Sequence, residues 1–421
     1  MFEATLRYNS NSDKQPVETS LEYLDSLLIP ARMLAANAKA LPSDLRNYAD
    51  DAGVSYYIDP SLTDFRVGDD FRDDSDGIRP WHWKYVGHIG RLLEELLAKQ
   101  DNVDASQIPD EDVETLATAS VEFQEEFVVT QLEEQVGKYE TLSEPDSYRP
   151  EAIIPWYHKI RTPDDIAVND TILGAAQDAA SLPLKPCLFV TKDILRSDSY
   201  PEQLVSLLTE HDIQQCFLWV ENLDKHETGQ HDYEHIAQFV CDLVEAGVSP
   251  HFYYGDYFAT LLAHLGLDGT IYGSMYGEEG AERREQRGGD GVITRYYLDE
   301  VADFVKIPAV ADVQQRVGAE LCGCGVCQRQ FDSWQDLAER YNDDEENIQT
   351  PMKKHHLRVR WRQIQEIEAD SLEDSLERLE SHYQAYVEPF SRSNQVADAK
   401  SLNYMPCWQN ALESVSSEEE S

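Results

Sequence analysis

Short apolar runs recur along the chain, and several are followed by stretches in which apolar residues have helical spacing. The runs lie at 54–59, 152–157, 186–191, 216–221, 251–256 and 269–274. Continuous apolar strands that alternate with helices are typical of a parallel sheet covered by helices on its faces. Residues 213–274 give the clearest unit, because strand-like and helix-like stretches follow one another there as β-α-β-α-β.

Six predicted strands in 421 residues fit an α/β fold of the (β/α)₈ type, a TIM-like barrel with insertions. A doubly wound open sheet is the alternative, but no G-x-G-x-x-G turn follows the first strand. We therefore expect a barrel over 1–310, interrupted by a helical insertion at about 81–140, where leucines recur at helical spacing. A separate C-terminal subdomain is expected over 311–410, with one long helix at about 351–388, and a disordered acidic tail over 411–421.

The charge balance changes the expected setting of the protein. The chain has 35 Lys and Arg against 80 Asp and Glu, a formal charge of −45 spread along its length. Self-repulsion of this size destabilises a compact state in dilute salt, whereas molar salt shortens the screening length to about 3 Å. The composition therefore predicts a halophilic protein adapted to a salt-rich cytoplasm. In such salt the acidity no longer argues strongly against binding nucleic acid.

The sequence shows neither the apolar run of a transmembrane helix nor that of a signal peptide. No run of 18 apolar residues exists, so no transmembrane helix and no membrane partner are expected. The N-terminus, MFEATLRYNSNSDKQ, lacks the apolar stretch of a signal peptide, which favours the cytoplasm. Seven cysteines, three of them in apolar runs at Cys187, Cys216 and Cys241, do not suggest a disulfide framework.

The strongest chemical signal is the segment CGCGVC, which places Cys322, Cys324 and Cys327 within six residues. Three thiolates and one imidazole make a closed tetrahedral site for Zn²⁺, and such sites are usually structural. The fourth ligand would be His355 or His356, about 28 residues further on. Neighbouring residues on a helix point about 100° apart, so only one of the two can face the metal. The alternative is a set of buried free thiols.

The spacing C-x-C-x-x-C, followed by a histidine that opens a long helix (HHLRVRWRQIQEI), resembles the zinc subdomain of the tRNA-guanine transglycosylases. In that family the motif ends a (β/α)₈ barrel and the helix begins H-N-L or similar, so the H-H-L here implies His355 as the ligand. The stretch VSYYIDPSLTDF is similar to a family strand that ends in an aspartate, and 213–274 follows the late barrel strands in order. The family exchanges a guanine in nucleic acid for a 7-deazaguanine, and related enzymes act on DNA.

The resemblance implies two catalytic carboxylates, one that attacks C1′ of the nucleoside and one that moves protons. It carries Asp59 over as the acid/base residue, whereas a turn or capping aspartate before Pro60 is the alternative. The late strand of the family ends in the nucleophilic aspartate, but that position here falls on Ile271 or Tyr272. Asp256 and Glu278 are the substitutes that we consider, and the absence of any nucleophile stays open.

Other strand ends carry groups that suit a base or ribose. Glu221 and Asn222 follow the strand FLWV, and they are expected either to bind substrate or to cap the next helix. Tyr157, in IIPWYHK, suits a stacking wall for a flipped-out base, with an aromatic cluster at the edge of the core as the alternative.

Two clusters of basic residues stand out in so acidic a chain. The first, at 353–362, reads KKHHLRVRWR and includes Arg358 and Arg360, and the second, at 283–295, holds four arginines. Retained positive charge suggests phosphate contacts, and the alternative is pairing with nearby Asp and Glu on a solvated face.

These observations lead to two main hypotheses. The first is a transglycosylase-like pentosyltransferase that exchanges a guanine-type base for a 7-deazaguanine in tRNA or DNA. The second is a non-catalytic zinc-containing barrel that binds nucleic acid and serves a partner subunit. Both expect Zn²⁺, nucleic acid and a purine or 7-deazapurine base as partners, with a homodimer or heterodimer left open. An unrelated zinc-containing α/β enzyme is the remaining alternative.

Overall fold

The centre of the fold is a curled parallel sheet of seven strands. The computed structural model describes residues 1–66, 71–73, 76–136, 142, 144–275, 294–343, 345–393 and 402–419. The strands of the sheet are β1 Glu3–Arg7, β2 Ser26–Pro30, β3 Ser55–Asp59, β4 Cys187–Val190, β5 Gln215–Val220, β6 Ser249–Phe252 and β7 Gly269–Gly273. Their order is β3-β2-β1-β7-β6-β5-β4, so β7 pairs with β1 and strands follow chain order around the curl. This arrangement confirms the predicted TIM-like α/β fold.

An extended segment at 151–160 occupies the gap between β3 and β4. The amide of Glu151 donates to the carbonyl of Tyr56 in β3 at 3.0 Å, and the amide of Ile160 donates to the carbonyl of Phe189 in β4 at 2.7 Å. The run 152–157 was predicted as a strand, but the segment forms only isolated bridges, at Ile153 and Ile160. Pro155 has no N–H to donate, which explains why a regular ladder does not form.

Helices follow most of the strands. Those before residue 300 are α1 Lys14–Glu18, α2 Ala31–Ala36, α3 Ala40–Ala52, α4 Pro80–Ile89, α5 Arg91–Lys99, α6 Asp110–Val136, α7 Pro163–Ala179, α8 Lys192–Leu195, α9 Tyr200–Glu210, α10 Gln230–Glu245 and α11 Tyr257–Leu261. Helices α4 to α6 lie between β3 and β4 in the chain, and we call them the insertion. Within the described ranges, no helix combines the length and the apolar character needed to span a bilayer.

Alternation along the strands separates two cores. One face of β1 carries Ala4 and Leu6 into the large core shared with the helices. The other face of the sheet encloses a smaller aromatic core, whose buried members are Leu28, Tyr57, Ala152, Ile154, Tyr157, Cys187, Phe189, Phe217, Trp219, Tyr253 and Ile271. Side chains therefore fill the inside of the curled sheet, so functional groups are expected at the ends of the strands.

Polar groups close the N-terminal end of this inner core. The Nζ of Lys185 lies 3.2 Å from Oε2 of Glu3, and Nε2 of His251 lies 3.0 Å from the same oxygen. The other oxygen, Oε1, accepts a hydrogen bond from the hydroxyl of Ser26. Burial lowers the pKa of Lys185, although the Glu3 carboxylate opposes the shift. Polar groups at this end of a barrel of this type support the fold, because catalytic groups gather at the opposite end.

The C-terminal part begins with an antiparallel hairpin, β8 Arg295–Leu298 and β9 Asp303–Lys306. Its helices are α12 Ile307–Val317, α13 Cys327–Gln330, α14 Trp334–Asp343, α15 Glu345–Ala369, α16 Leu372–Arg392 and α17 Tyr404–Glu419. Asp303 ties the hairpin to the loop after β5, because its carboxylate pairs with Lys225 and His226, each at 3.1 Å. Burial alone would raise the pKa of Asp303, but these two partners lower it to about 2.

Three expectations about this part need correction. The single long helix expected at 351–388 is two helices, because Ser371 starts α16 with a capping box that includes Asp374. The disordered tail expected at 411–421 is helical as far as Glu419, because Leu412 and Val415 bury an apolar stripe that continues from Trp408. The expected domain boundary at residue 310 falls inside α12.

Candidate metal centre and barrel-mouth site

The predicted cysteine and histidine ligands come together in one cluster. The ligand atoms of Cys322, Cys324, Cys327 and His355 all lie within 4.8 Å of one another. Nδ1 of His355 is 3.4 Å from the sulfur of Cys324 and 3.4 Å from that of Cys327. Tetrahedral zinc, with Zn–S near 2.3 Å and Zn–N near 2.0 Å, would separate sulfur from nitrogen by about 3.5 Å. The four side chains therefore fit a metal ion of this size and preference.

Surrounding groups fix the orientation of His355. Its Nε2 lies 2.8 Å from the carbonyl oxygen of Tyr297 in β8, so this nitrogen donates its proton and leaves Nδ1 as the ligand. The ring of Tyr296 stacks on the imidazole at 4.2 Å. His356 points elsewhere, since its Nδ1 lies 3.2 Å from the carbonyl oxygen of Ser274. The choice between the two histidines is therefore settled by geometry in favour of His355.

Asp59 ends β3 at the C-terminal edge of the sheet, as predicted. Its Oδ1 accepts hydrogen bonds from the amide of Ser61 at 3.0 Å and from the hydroxyl of Tyr157 at 3.3 Å. Burial and the negative charge of Asp64 raise the pKa of Asp59, and the hydrogen bond from the Ser61 amide and the positive charge of Arg32 oppose the shift. A carboxyl group with a raised pKa is protonated more readily than an ordinary aspartate, which favours a role in proton transfer at this edge.

Aromatic rings form a wall beside Asp59. The ring of Trp219 stacks on Phe189 at 3.8 Å and on Tyr253 at 5.5 Å, and the Tyr157 ring meets Trp219 edge-on at 6.0 Å. Arg7, at the end of β1, lies over the ring of Tyr254 at 4.0 Å. Tyr157 is buried in this wall, and its hydroxyl donates the hydrogen bond that orients Asp59.

The loop after β3 contains a second carboxylate that sequence reasoning missed. Oδ2 of Asp64 lies 2.9 Å from Nε of Arg32 on α2 and 3.3 Å from Nε2 of His82 on α4. The hydroxyl of Tyr85, also on α4, donates to the carbonyl of Pro60. The helical insertion thus holds this loop at the barrel mouth. The only signal in the sequence was the position of Asp64 five residues after Asp59.

The two predicted groups at the end of β5 have different surroundings. Glu221 is partly exposed and pairs with Lys159 from the extended segment. Asn222 is exposed in the left-handed region at φ 53°, and its carbonyl accepts from Lys192 at 3.2 Å. Neither caps a helix, because α10 begins only at Gln230. Both therefore lie at the mouth, where their expected role as substrate contacts stays a prediction.

The contacts of Asp256 that the structure describes are structural. Its carboxylate caps α11 by accepting from the amide of Phe258 at 3.0 Å, and its charge acts on Tyr233 and Tyr404. These contacts lie on the helical side of the fold. Glu278, the other predicted substitute, lies outside the described residues.

The basic run at 353–362 divides between two faces of α15. Arg360 is fully buried and donates to the carbonyl of Asp256 and to Thr260, so its assignment as a phosphate contact is wrong. Arg362 pairs with Asp299. Arg358 stays partly exposed over the ring of Tyr23 at 5.4 Å. Of the second cluster, Arg295 begins β8, and Arg283, Arg284 and Arg287 lie outside the described residues.

No protein-family model and no curated protein sequence matches this chain. Among solved structures, it is similar to a xylanase 10B fragment (CBM22-1 and GH10 modules) from Clostridium thermocellum, at 8% identity, TM-score 0.36, and coverage of 65% of this chain and 58% of that one. It is also similar to an HpcH/HpaI aldolase from Desulfitobacterium hafniense, at 13% identity, TM-score 0.28, and coverage of 65% of this chain and 86% of that one. A D-psicose 3-epimerase from Clostridium cellulolyticum is similar at 12% identity and TM-score 0.29, with coverage of 69% of this chain and 93% of that one. Likenesses this distant carry no inference about function.

Proposed function

We propose that the protein exchanges a guanine-type base for a 7-deazaguanine in tRNA or DNA, as a transglycosylase-like enzyme. The observation that carries the proposal is the position of Asp59 at the end of β3, hydrogen-bonded to Tyr157 beside an aromatic wall. A carboxyl group with a raised pKa gives a proton to a leaving base and takes one from the entering base. The Cys322–His355 cluster supports the same resemblance, because it combines the expected spacing with a metal-binding geometry.

The metal centre has a structural part in this proposal. A Zn²⁺ ion held by three thiolates and one imidazole keeps no open coordination position, so it would tie the cysteine loop to α15. His355 also contacts β8 through the carbonyl of Tyr297, so the ligand set links the loop, the helix and the hairpin. The chemistry of base exchange is assigned to carboxylates at the barrel mouth.

The test is the variant Asp59→Asn, which keeps the shape of the side chain and removes its charge. We expect incorporation of labelled base into tRNA or DNA, measured in molar KCl, to fall by about 10²-fold or more. Asp312→Asn is the control, because it makes the same substitution on α12, outside the barrel mouth. Wild-type incorporation in Asp59→Asn would make Asp59 a turn residue and remove the main support of the proposal.

A non-catalytic nucleic-acid-binding barrel is the second candidate, and one observation favours it. The family's nucleophile position falls on β7, where Ile271 packs in the inner core and Tyr272 is buried against Arg360. Such a protein would bind nucleic acid and a purine without exchange, and would serve a partner subunit. Tight binding of labelled base and nucleic acid by the wild-type protein, with no incorporation into either polymer, would select this function.

We propose that the protein works in a cytoplasm that contains molar salt. The formal charge of −45 makes self-repulsion a large cost of the folded state, and salt screens it. The free energy of unfolding, measured with urea, should therefore rise steadily between about 0.1 and 2 M KCl. A free energy that is independent of KCl would contradict the halophilic interpretation.

A further inference from the structure

The barrel mouth holds two carboxylates on one short loop. The amide of Ser61 donates to Oδ1 of Asp59 at 3.0 Å, and the amide of Asp64 donates to the carbonyl of Ser61 at 3.2 Å. Ser61 is buried and adopts φ 56°, a conformation that residues other than glycine take only when surrounding contacts require it. The loop therefore folds back and brings Asp64 close enough for its charge to act on Asp59.

The surroundings of the two carboxylates differ. Asp64 is ion-paired with Arg32 at 2.9 Å and contacts His82 at 3.3 Å, and its side chain remains 30% exposed. Asp59 is partly exposed and lies beside the aromatic wall, where the hydroxyl of Tyr157 donates to its Oδ1. Asp64 is held by a cationic partner and can be reached by a ligand, whereas Asp59 is placed to carry a proton. Such a division of roles between two carboxylates is what double displacement at a glycosidic carbon needs.

We propose that Asp64 is the nucleophile of the base-exchange site, held by Arg32 and His82, with Asp59 as its acid/base partner. This assignment rests on the proposed function and supplies the carboxylate that β7 lacks. It differs from the resemblance, which placed the nucleophile at the end of a late strand. Arg32 and His82 are positioning residues, because they act on Asp64 from helices α2 and α4.

The chemistry balances without a further reactant. In the first step an oxygen of Asp64 forms a bond to C1′, the C1′–N bond of the nucleoside breaks, and the departing base receives its electron pair and the proton of Asp59. In the second step the entering base loses a proton to Asp59 and bonds to C1′. The ester bond between Asp64 and C1′ then breaks, and its electron pair returns to the carboxylate.

The assignment is tested by comparing Asp64→Asn with the control Asp312→Asn in the incorporation assay. The control is matched in exposure, at 27% against 30%, and in its arginine partner, at 3.0 Å against 2.9 Å. Loss of a nucleophile should lower exchange by about 10³-fold or more. The control should stay within about twofold. Exchange by Asp64→Asn within about threefold of wild type would overturn the assignment and leave the proposed function standing.

A second measurement does not depend on how the variant folds. Wild-type protein is incubated with tRNA or DNA oligonucleotide without entering base, denatured, and digested with nuclease and trypsin. The tryptic peptide 47–66 contains both Asp59 and Asp64, and tandem mass spectrometry should place the nucleotide-derived mass on Asp64. The same mass on Asp59, Asp256 or Glu278 would overturn the assignment, and a wild-type protein without any exchange would overturn the proposed function as well.

Discussion

Replacing Cys324 with serine tests the metal centre through the stability of the chain. Cys324 provides one of the four converging ligand atoms, with its sulfur 3.4 Å from Nδ1 of His355. Serine is a poor ligand for zinc, so we expect the bound metal to fall from one ion per chain to well below one. Cys407→Ser is the matched control, because Cys407 is also partly exposed and lies outside the cluster.

The size of the effect follows from the chain that the metal closes. In sequence, 28 positions separate Cys327 from His355, and a metal ion bound by both would tie the ends of this loop together. A cross-link of that span removes about 3 to 4 kcal/mol of conformational entropy from the unfolded chain at 25 °C. We expect the free energy of unfolding to fall by about that amount. For a cooperative unit of this length the melting temperature would fall by about 4 °C.

The assay combines elemental analysis of protein purified without chelator with urea titrations of wild type, Cys324→Ser and Cys407→Ser. A strong chelator should lower the stability of the wild type and of Cys407→Ser to that of Cys324→Ser, and should leave Cys324→Ser unchanged. Purified wild-type protein that carries no zinc, or a chelator that leaves its stability unchanged, would refute the reasoning. The four residues would then be a cluster of packed thiols around a histidine.

Three further predictions follow from single contacts. The folded-state pKa of Asp303 is lowered to about 2, so its ion pairs add about 2 to 3 kcal/mol to the free energy of unfolding above pH 4, and this contribution is lost as the pH falls to 2. Urea titrations at pH 7 should show the same loss in Asp303→Asn, and a variant as stable as wild type would contradict the prediction. Gly255→Ala places a methyl 1.7 Å from the Thr270 hydroxyl, so it should cost about 3 kcal/mol in urea unfolding, whereas Gly229→Ala, with open space around it, should cost under about 1. Arg358→Ala should weaken nucleic-acid binding equally across sequences and reduce the slope of log affinity against log salt by about 1, and an unchanged slope would leave Arg358 as surface charge.

Strand β1 differs from β4 and β5 in what it turns toward the inner core, which explains why the sequence pattern revealed β4 and β5 but not β1. Strands β4 and β5 are apolar on both faces and stand out as continuous runs. Strand β1 has Ala4 and Leu6 on its outer face, while Thr5 and Arg7 point the other way. A five-residue strand with polar residues inside a barrel has no apolar run. Its membership of the sheet follows only from its pairing with β2 and β7.

The metal centre was predictable because its geometry is mostly local. Three ligands lie within six residues, and thiolates so close in sequence can reach one ion with little help from the fold. The fourth ligand required only a helix that returns to the loop. The choice between His355 and His356 needed more, since the carbonyl of Tyr297 and the ring of Tyr296 decide which imidazole faces the cysteines.

The basic run on α15 shows the limit of reasoning from composition. Arg358 and Arg360 are two residues apart and therefore about 200° apart around a helix. One face of α15 packs against the barrel, so Arg360 donates to Thr260 inside the fold while Arg358 stays at the surface. A local count of charges carries no information about which face is buried. Burial can be assigned only after the partner of the helix is known.

Asp64 could not be recognised as a site residue from the sequence, for a related reason. Asp64 differs from other acidic residues of the chain in its partners, and those partners come from two separate helices. Arg32 lies 32 residues before it, and His82 belongs to the insertion, which the sequence analysis treated as an addition to the barrel. The insertion instead supplies His82 to Asp64 and Tyr85 to the backbone of the same loop. Removing α4 would take away the contact of His82 with Asp64 and that of Tyr85 with the carbonyl of Pro60. The proposed base exchange therefore depends on the insertion, because both carboxylates lie on the loop that these contacts hold.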